Sequence, residues 1–434
     1  MKTAQSSILP GRRRWGAVVV FFLFLMLHQT DKLLIGPLTT PIMETFGIDE
    51  SQMGAAFTGA LLVGAILYPV WGYLYDRFAR ARLVALASAV WGATTWLSAL
   101  AVTFPAFVIS RASTGIDDAS YPGIFSMVSD YFRPGARGRV IGLLQFSGPL
   151  GYLLGMALAL GPGGWLGWRA VFLMTGALGI ALAFVILIVV REPARGASEP
   201  EMAGRNAPAP EGARFSWLAA RQLLRKRSLL LLCAQGFFGV FPWQVITYWI
   251  FRYLEVERGY TSDEVFVTMG VAVVVMSTGY VAGGVVGDAL YRRWRRGRLM
   301  ASAGAVLVGA ALLPLTLGVP IGERALFLVM LCLNAIFIPF AGPNVSASVH
   351  DIVLPEVRST ALAMLNFIES IGSAVAPLIA GIIAVQSSLG NALLLICVTT
   401  WLICGVVLLL AARLAPRDMD TLRAQMRARG AAQT

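Results

Sequence analysis

The sequence predicts an all-α membrane protein: twelve transmembrane helices in two six-helix bundles, related by a pseudo-two-fold axis along the membrane normal. Three observations predict it. Of 434 residues, 57% are hydrophobic and only 13% are charged, about half the charged share of a soluble domain, so lipid must solvate most of the surface. Apolar runs long enough to cross roughly 30 Å of hydrocarbon recur along the whole length. The second half then repeats the punctuation of the first, which is how parallel six-helix repeats read in sequence.

The first apolar run, Trp15 to Leu27, follows Arg12, Arg13 and Arg14 as a signal peptide would. No small-residue cleavage site comes after it and similar runs continue down the chain, so it reads as the first transmembrane helix, residues 15–43. Gly/Pro breaks and charges then delimit spans at 52–75, 83–103, 106–130, 139–160 and 169–190. These six make an N-terminal bundle, residues 1–190. "REPARGASEPEMAGRNAPAPEGAR" follows, too rich in Pro, Ala, Gly and charge to bury a core, and marks a cytoplasmic linker over 191–228. The C-terminal bundle, 229–413, holds spans at 229–254, 263–289, 299–318, 324–349, 359–385 and 390–412, and 414–434 is a basic cytoplasmic tail.

Charge sets the orientation. Arg77, Arg80 and Arg82 follow span 2, and Arg133, Arg137 and Arg139 follow span 4. Arg191 to Arg227 and Arg292 to Arg298 follow spans 6 and 8. The opposite connections carry Glu44, Asp49 and Glu50 or almost nothing, which places both termini in the cytoplasm and the chain in the cytoplasmic membrane. The net charge of +12 is thereby a topology signal, with no basic face alternating with aromatics to point to nucleic acid. Cys233, Cys332, Cys397 and Cys404 are scattered through apolar spans without metal-ligand or disulfide spacing. There is no phosphate-cradling loop and no catalytic spacing, so neither ATP drive, nor a cofactor, nor enzymatic chemistry is expected.

The repeat is specific. "GYLYDRFARAR" (72–82) is echoed by "GVVGDALYRR" (284–293), aligning Gly72 with Gly284 and Asp76 with Asp288. "SDYFRPGARGRVIGLLQF" (129–146) is echoed by "HDIVLPEVRSTALAMLNF" (350–367), aligning Asp130, Pro134, Arg137 and Phe146 with Asp351, Pro355, Arg358 and Phe367. The run from Gly72 to Arg82 resembles the loop 2–3 signature of the major facilitator superfamily. That resemblance implies the major facilitator fold, a substrate site near the midplane, and a cytoplasmic gate built from Asp76, Arg77, Arg80, Asp130, Arg137, Asp288 and Arg358. More finely, "RASTGIDDASY" resembles the Arg-x-x-x-Gly-Ile-Gly-Glu-Ala-Ser-Tyr run of Spinster-like lipid transporters, as do residues 168–196 and 350–365. Asp118 stands in place of that glutamate and Asp117 in place of the glycine. Anion:cation symporters share a related span 4 pattern.

An ionised residue at the bilayer centre costs about 2.5–3.5 kcal/mol, so each one needs a reason. Arg111 and Asp118 are seven apart and share a face of span 4, while Asp117 is rotated by about 100°. Counting from Asp130, Asp118 lies roughly 18 Å in and Arg111 roughly 28 Å; Asp31 lies roughly 25 Å in from Arg14. One reading is an ion pair tying span 1 to span 4. The other is a relay in which Asp31 and Asp118 exchange protons while Arg111 alternates between them or holds an anionic substrate. The Spinster-like resemblance implies coupling residues at these three positions. Glu369, roughly 16 Å in on span 11, is a further coupling group or a packing residue. Asp117 is a cavity wall or a helix-distorting residue. Trp243 and Tyr248, after the kink expected at Pro242, line a substrate cavity or form an aromatic belt. His28 is read as packing with a possible relay role, and Lys32 as snorkelling outward.

The assignments are therefore Asp31, Asp118 and Glu369 for proton coupling, and Arg111, Asp117, Trp243 and Tyr248 for substrate. The expected function is secondary active transport of a small organic or amphipathic solute by a monomer. Its partners are that small-molecule or lipid substrate, protons and membrane lipid, with no metal. The alternatives are an uncoupled facilitator or scramblase-like conduit, and an organic carboxylate/proton symporter.

Overall fold

Helices begin where the sequence supplies a cap and break where it supplies proline or glycine. The computed structural model describes residues 11–118, 120–132, 134–193, 226–353 and 358–431. The middle of the linker (194–225), Arg133 and residues 354–357 lie outside the described residues, as do the side chains of Asp76, Pro134 and Arg358. The first half comprises α1 (Gly11–Leu34), α2 (Thr39–Phe46), α3 (Glu50–Arg77), α4 (Arg80–Leu100), α5 (Phe104–Asp118), α6 (Pro122–Tyr131), α7 (Pro134–Gln145), α8 (Ser147–Leu160), α9 (Pro162–Leu166) and α10 (Trp168–Val189). The second comprises α11 (Arg227–Arg252), a π-helical turn at Tyr253–Glu257, α12 (Ser262–Arg293), α13 (Gly297–Leu317), α14 (Arg324–Phe337), α15 (Ala341–Ile352), α16 (Arg358–Gln386) and α17 (Leu389–Ala431). The chain divides into two compact units, Met1–Glu211 and Gly212–Thr434, here the first and second bundle.

The repeat seen in the sequence recurs in the way each bundle is built. Spans 2 and 8 open on the same device: Asp49 caps α3 in a reciprocal bond with Gln52, and Thr261 caps α12 with Glu264. In the first bundle α1 packs on α8, α3 on α5 and α4 on α10; in the second α11 packs on α16, α12 on α14 and α13 on α17. These are the same span pairings, 1–5, 2–4 and 3–6, six spans later. Glycine lets the backbones meet. A Cβ at Gly115 would stand 2.2 Å from the Ala60 carbonyl oxygen, and one at Gly279 only 2.1 Å from that of Ile336.

Four spans expected to run unbroken do not. Span 1 stops at Leu34 and resumes as α2, past Gly36 and Pro37. Span 5 is interrupted between α7 and α8, just before Gly148 and Pro149, and span 10 between α14 and α15 at Pro339. Span 4 matters most. Pro122 cannot donate to a preceding carbonyl, so α5 ends at Asp118 and α6 begins afresh. Side chains of α3 satisfy the carbonyls this frees: Trp71 donates to Ile116 and Tyr75 to Ser120, both at 2.5 Å. Eleven helical stretches among the described residues are long and apolar enough to cross a membrane; span 4, broken and charged, supplies the twelfth.

The tail also differs from expectation. Residues 414–431 continue span 12 as one helix, because Ala411, Ala415, Met419 and Leu422 keep a buried stripe running beyond the membrane segment. Asp418 accepts from Ser228 and Asp420 pairs with Arg295, which anchors the extension to the second bundle.

Candidate functional site

The break in span 4 puts two carboxylates, Asp117 and Asp118, at the C-terminal end of α5. A helix C-terminus already carries partial negative charge, so carboxylates there call for cations. α1 supplies two basic side chains from one turn. His28 Nε2 lies 2.7 Å from Asp117 Oδ2, and Lys32 Nζ donates to both oxygens of Asp118 at 2.8 and 2.7 Å. Neighbours on α5, pointing about 100° apart, thus reach residues four apart on α1. Lys32 does not snorkel outward: Asp118 draws it inward. Asp118 passes over Gly64 of α3, where a Cβ would stand 3.3 Å from its Oδ2.

Asp31 lies on the same turn of α1 and faces elsewhere. It is buried and accepts hydrogen bonds from Thr95 of α4 at 3.0 Å and Thr175 of α10 at 2.7 Å. Arg111 is 4% exposed, with its guanidinium carbon 5.3 Å from the centre of the Phe172 ring. Its Nε and Nη1 are buried without a hydrogen-bond partner. The expected pairing of Arg111 with Asp31 or Asp118 is therefore absent here: threonines hold the first and Lys32 the second. Sequence reasoning missed Thr95 and Thr175, since a hydroxyl in an apolar helix carries no signal of its own.

In the second bundle Glu369 of α16 is half-buried and packs against Gly236 of α11, where a Cβ would stand 2.9 Å from its Cγ. Among the described residues its carboxylate has no hydrogen-bond or ion-pair partner. Trp243 is half-buried and Tyr248 is buried, both on α11; next to them Trp249 donates to the Pro377 carbonyl at 3.0 Å.

The helix ends that the sequence assigns to the cytoplasm carry two matching networks. Arg80, at the start of α4, is 3% exposed and donates to Asp130 at 2.6 Å, Glu192 at 2.7 Å and Ser126 at 2.8 Å. The second oxygen of Glu192 accepts from the Ala81 backbone at 2.8 Å and so caps α4 from outside it. Arg298, at the start of α13, donates to Asp288 at 2.7 Å and to Asp351 at 2.6 Å. Arg298 is thus the counterpart of Arg80; counting forward from Asp288 by the first-half spacing lands on Arg292, because α12 runs on to Arg293 and the spacing from Asp288 to Arg298 is six residues longer than that from Asp76 to Arg80. Glu192 was missed because it sits in a stretch that reads as linker. Arg77 donates to Tyr73 at 2.7 Å and Arg137 to the Phe132 carbonyl at 2.9 Å.

Chemically, the first bundle offers buried donors that lack an acceptor, which suits an anionic group, and the second offers an unpaired carboxylate. The Major Facilitator Superfamily sequence model matches residues 20–322 and 267–431. An MFS-type efflux pump of Mycolicibacterium smegmatis is 28% identical over 423 residues, 94% of this chain and 95% of that protein. Protein spinster of Drosophila melanogaster is 31% identical over 194 residues, 44% of this chain but only 31% of that protein. A bacterial homologue of the human lysosomal transporter Spinster, inward-facing and unoccupied, shares the fold with a TM-score of 0.76 at 19% identity, over 96% of this chain and 99% of that one. The nucleoside transporter NupG does so at 0.69 and 15%, over 94% and 98%. With two repeated bundles, matching networks at their helix ends and a family match over nearly its whole length, the chain belongs to the Major Facilitator Superfamily of membrane transporters.

Proposed function

We propose that this chain is a proton-coupled secondary transporter of a small organic or amphipathic solute with an anionic group. It sits in the cytoplasmic membrane with both termini cytoplasmic, and works by alternating access. The observation that carries this reading is Arg111, a buried guanidinium with two N–H groups and no acceptor for either. A carboxylate or phosphate fits that fork. Asp31, Asp118 and Glu369 are the coupling groups, and the Lys32–Asp118 pair is where proton and substrate compete. Removing a proton from Asp118 strengthens its hold on Lys32; adding one releases Lys32 towards the anion. The apolar spans beside Arg111 suit an acyl or aromatic body, and the full-length resemblance to an efflux pump supports export as the direction. Asp76, Arg77, Arg80, Asp130, Arg137, Asp288 and Arg358 form the gating ends, each set bracing its own bundle as access changes.

Purified protein in proteoliposomes tests this with three labelled probes: lysophosphatidylglycerol, lysophosphatidylethanolamine and benzoate. Accumulation of an anionic probe above equilibrium under an imposed pH gradient, lost on adding a protonophore, is the expected result. Equilibration without accumulation would establish the uncoupled facilitator instead. No movement of any probe by protein that is folded and inserted would sink the substrate class.

A further inference from the structure

The coupling reading uses Asp31, Asp118 and Arg111, and leaves His28 and Asp117 without a task. Their geometry is not that of a balanced pair. Asp117 is fully buried, with Oδ2 taken by His28 and Oδ1 buried without a partner. Asp118, by contrast, has both oxygens on Lys32. Each carboxylate therefore has its own base, and only Asp117 keeps a free oxygen. The His28 ring is stacked on Phe24 at 5.7 Å and meets the edge of Trp91 at 5.8 Å, which holds Nε2 on Asp117. The His28 side chain is 15% exposed and that of Asp117 only 1%, so the pair has an accessible end and a sealed end.

The surrounding charges say what the pair lacks. On α1 the neighbours are Asp31 and Lys32, and on α5 Arg111 and Asp118. The elements packed against these two helices add no charge at this depth. α4 has Arg80 and Arg82 only at its start, α10 has Arg169 at its start, and α3 has Glu50, Asp76 and Arg77 at its ends. α6 has Asp130 only at its end, α7 has Arg137 and Arg139 only in its first two turns, and α8 contains no charged residue. Three carboxylates, Asp31 and Asp117 buried and Asp118 half-buried, thus face two permanent cations. A buried net charge is unfavourable unless something compensates it, and one proton on the pair does so. Asp117 also stands where the Spinster-like run has glycine, so this group is an addition in this chain.

We propose that His28 and Asp117 form a proton-binding pair of their own, separate from Asp31 and Asp118. A proton arriving at His28 Nδ1 lets the Nε2 proton pass to Asp117, leaving a neutral ring and a neutral carboxyl. No other group changes charge. In transport, this pair adds one proton to those carried by Asp31 and Asp118; that use, but not the site, rests on the proton-coupled reading.

The chain has two histidines, His28 and His350, so histidine labelled with ¹⁵N isolates the signal, with His350→Asn as the assignment control. In full-length protein in lipid nanodiscs, titrated from about pH 4 to about pH 9, the His28 nitrogens are expected to titrate in two coupled steps. Asp117→Asn should reduce these to one step, while Asp118→Asn should retain two. Identical titrations in the native chain and Asp117→Asn would overturn the proposal. If Asp117→Asn does not fold, His28→Asn serves. The infrared C=O stretch of a protonated aspartate, identified by ¹³C-aspartate labelling, should then move relative to the native chain, and an unmoved band overturns the pair. Gradient-driven uptake of lysophosphatidylglycerol with a single-step His28 titration would sink the pair alone. A coupled titration without gradient-driven uptake of any probe would sink the transport reading and leave the pair standing.

Discussion

Arg111 holds a full positive charge inside the first bundle with two buried N–H groups and no acceptor for either. Lysine at this position keeps the charge but loses the planar fork, so Arg111→Lys is expected to weaken binding of an anionic lysolipid about tenfold or more. Binding measured beside uptake on the same proteoliposomes checks this; unchanged affinity would remove Arg111 from the substrate site. Asp118→Asn keeps the size but cannot ionise, so it should abolish gradient-driven accumulation while retaining exchange. Thr175 donates to the buried Asp31, and Thr175→Val leaves that oxygen without its donor, a loss of about 1–3 kcal/mol seen as a lower unfolding midpoint. At this scale the sequence revealed which residues are charged inside the membrane and roughly how deep they lie. It did not reveal their partners. Asp31 meets residues 64 and 144 positions away, and Asp118 meets one 86 positions away.

Close approach of helices makes sharp predictions, because one helix supplies both test and control. On α12 a Cβ at Gly279 would collide with the Ile336 carbonyl, whereas one at Gly270 would meet nothing within 4 Å. Gly279→Ala is therefore expected to destabilise the second bundle, and Gly270→Ala to leave it unchanged or stabilise it by about 1 kcal/mol. Thermal unfolding followed by size-exclusion chromatography distinguishes the two, and equal midpoints would contradict the packing of α12 on α14. The arginines of the two helix-end networks differ in the same checkable way. Removing Arg80, 3% exposed, takes the guanidinium from Asp130 and Glu192 at once, so Arg80→Ala is expected to lower the unfolding midpoint. Arg298 is 18% exposed and its partner Asp288 is 60% exposed, so Arg298→Ala should cost clearly less. A larger drop for Arg298→Ala than for Arg80→Ala would reverse this assignment. The limits of the spans were legible to within a few residues, but the break of span 4 at Pro122 was not, because the apolar run continues on both sides of it. The extension of α17 was not, because only a buried stripe and two tertiary anchors sustain it.

For the whole molecule, each bundle has its own span pairings and its own helix-end network. The 191–228 segment is rich in Pro, Ala and Gly, so its expected task is to span a distance. Deleting residues 198–210 should leave uptake of lysophosphatidylglycerol largely intact, provided enough chain remains to join the bundles. Loss of uptake with normal expression and folding would instead make the segment a working part.

By itself the sequence determined the membrane class, the six-plus-six repeat, the likeness to the major facilitator and Spinster-like runs, and the set of charges that need a reason to be in lipid. These follow from composition, from length against bilayer thickness and from local spacing, all properties of the chain read in order. Only the tertiary structure decided that His28 serves Asp117, that Lys32 rather than Arg111 holds Asp118, that two threonines hold Asp31, and that Glu192 and Arg298 complete the helix-end networks. The reason is physical. A hydrogen bond depends on an atom's position to within a few tenths of an ångström, and in a helical bundle that position is set by how far a glycine lets a neighbouring helix approach and where a proline stops one, not by residues nearby in the chain.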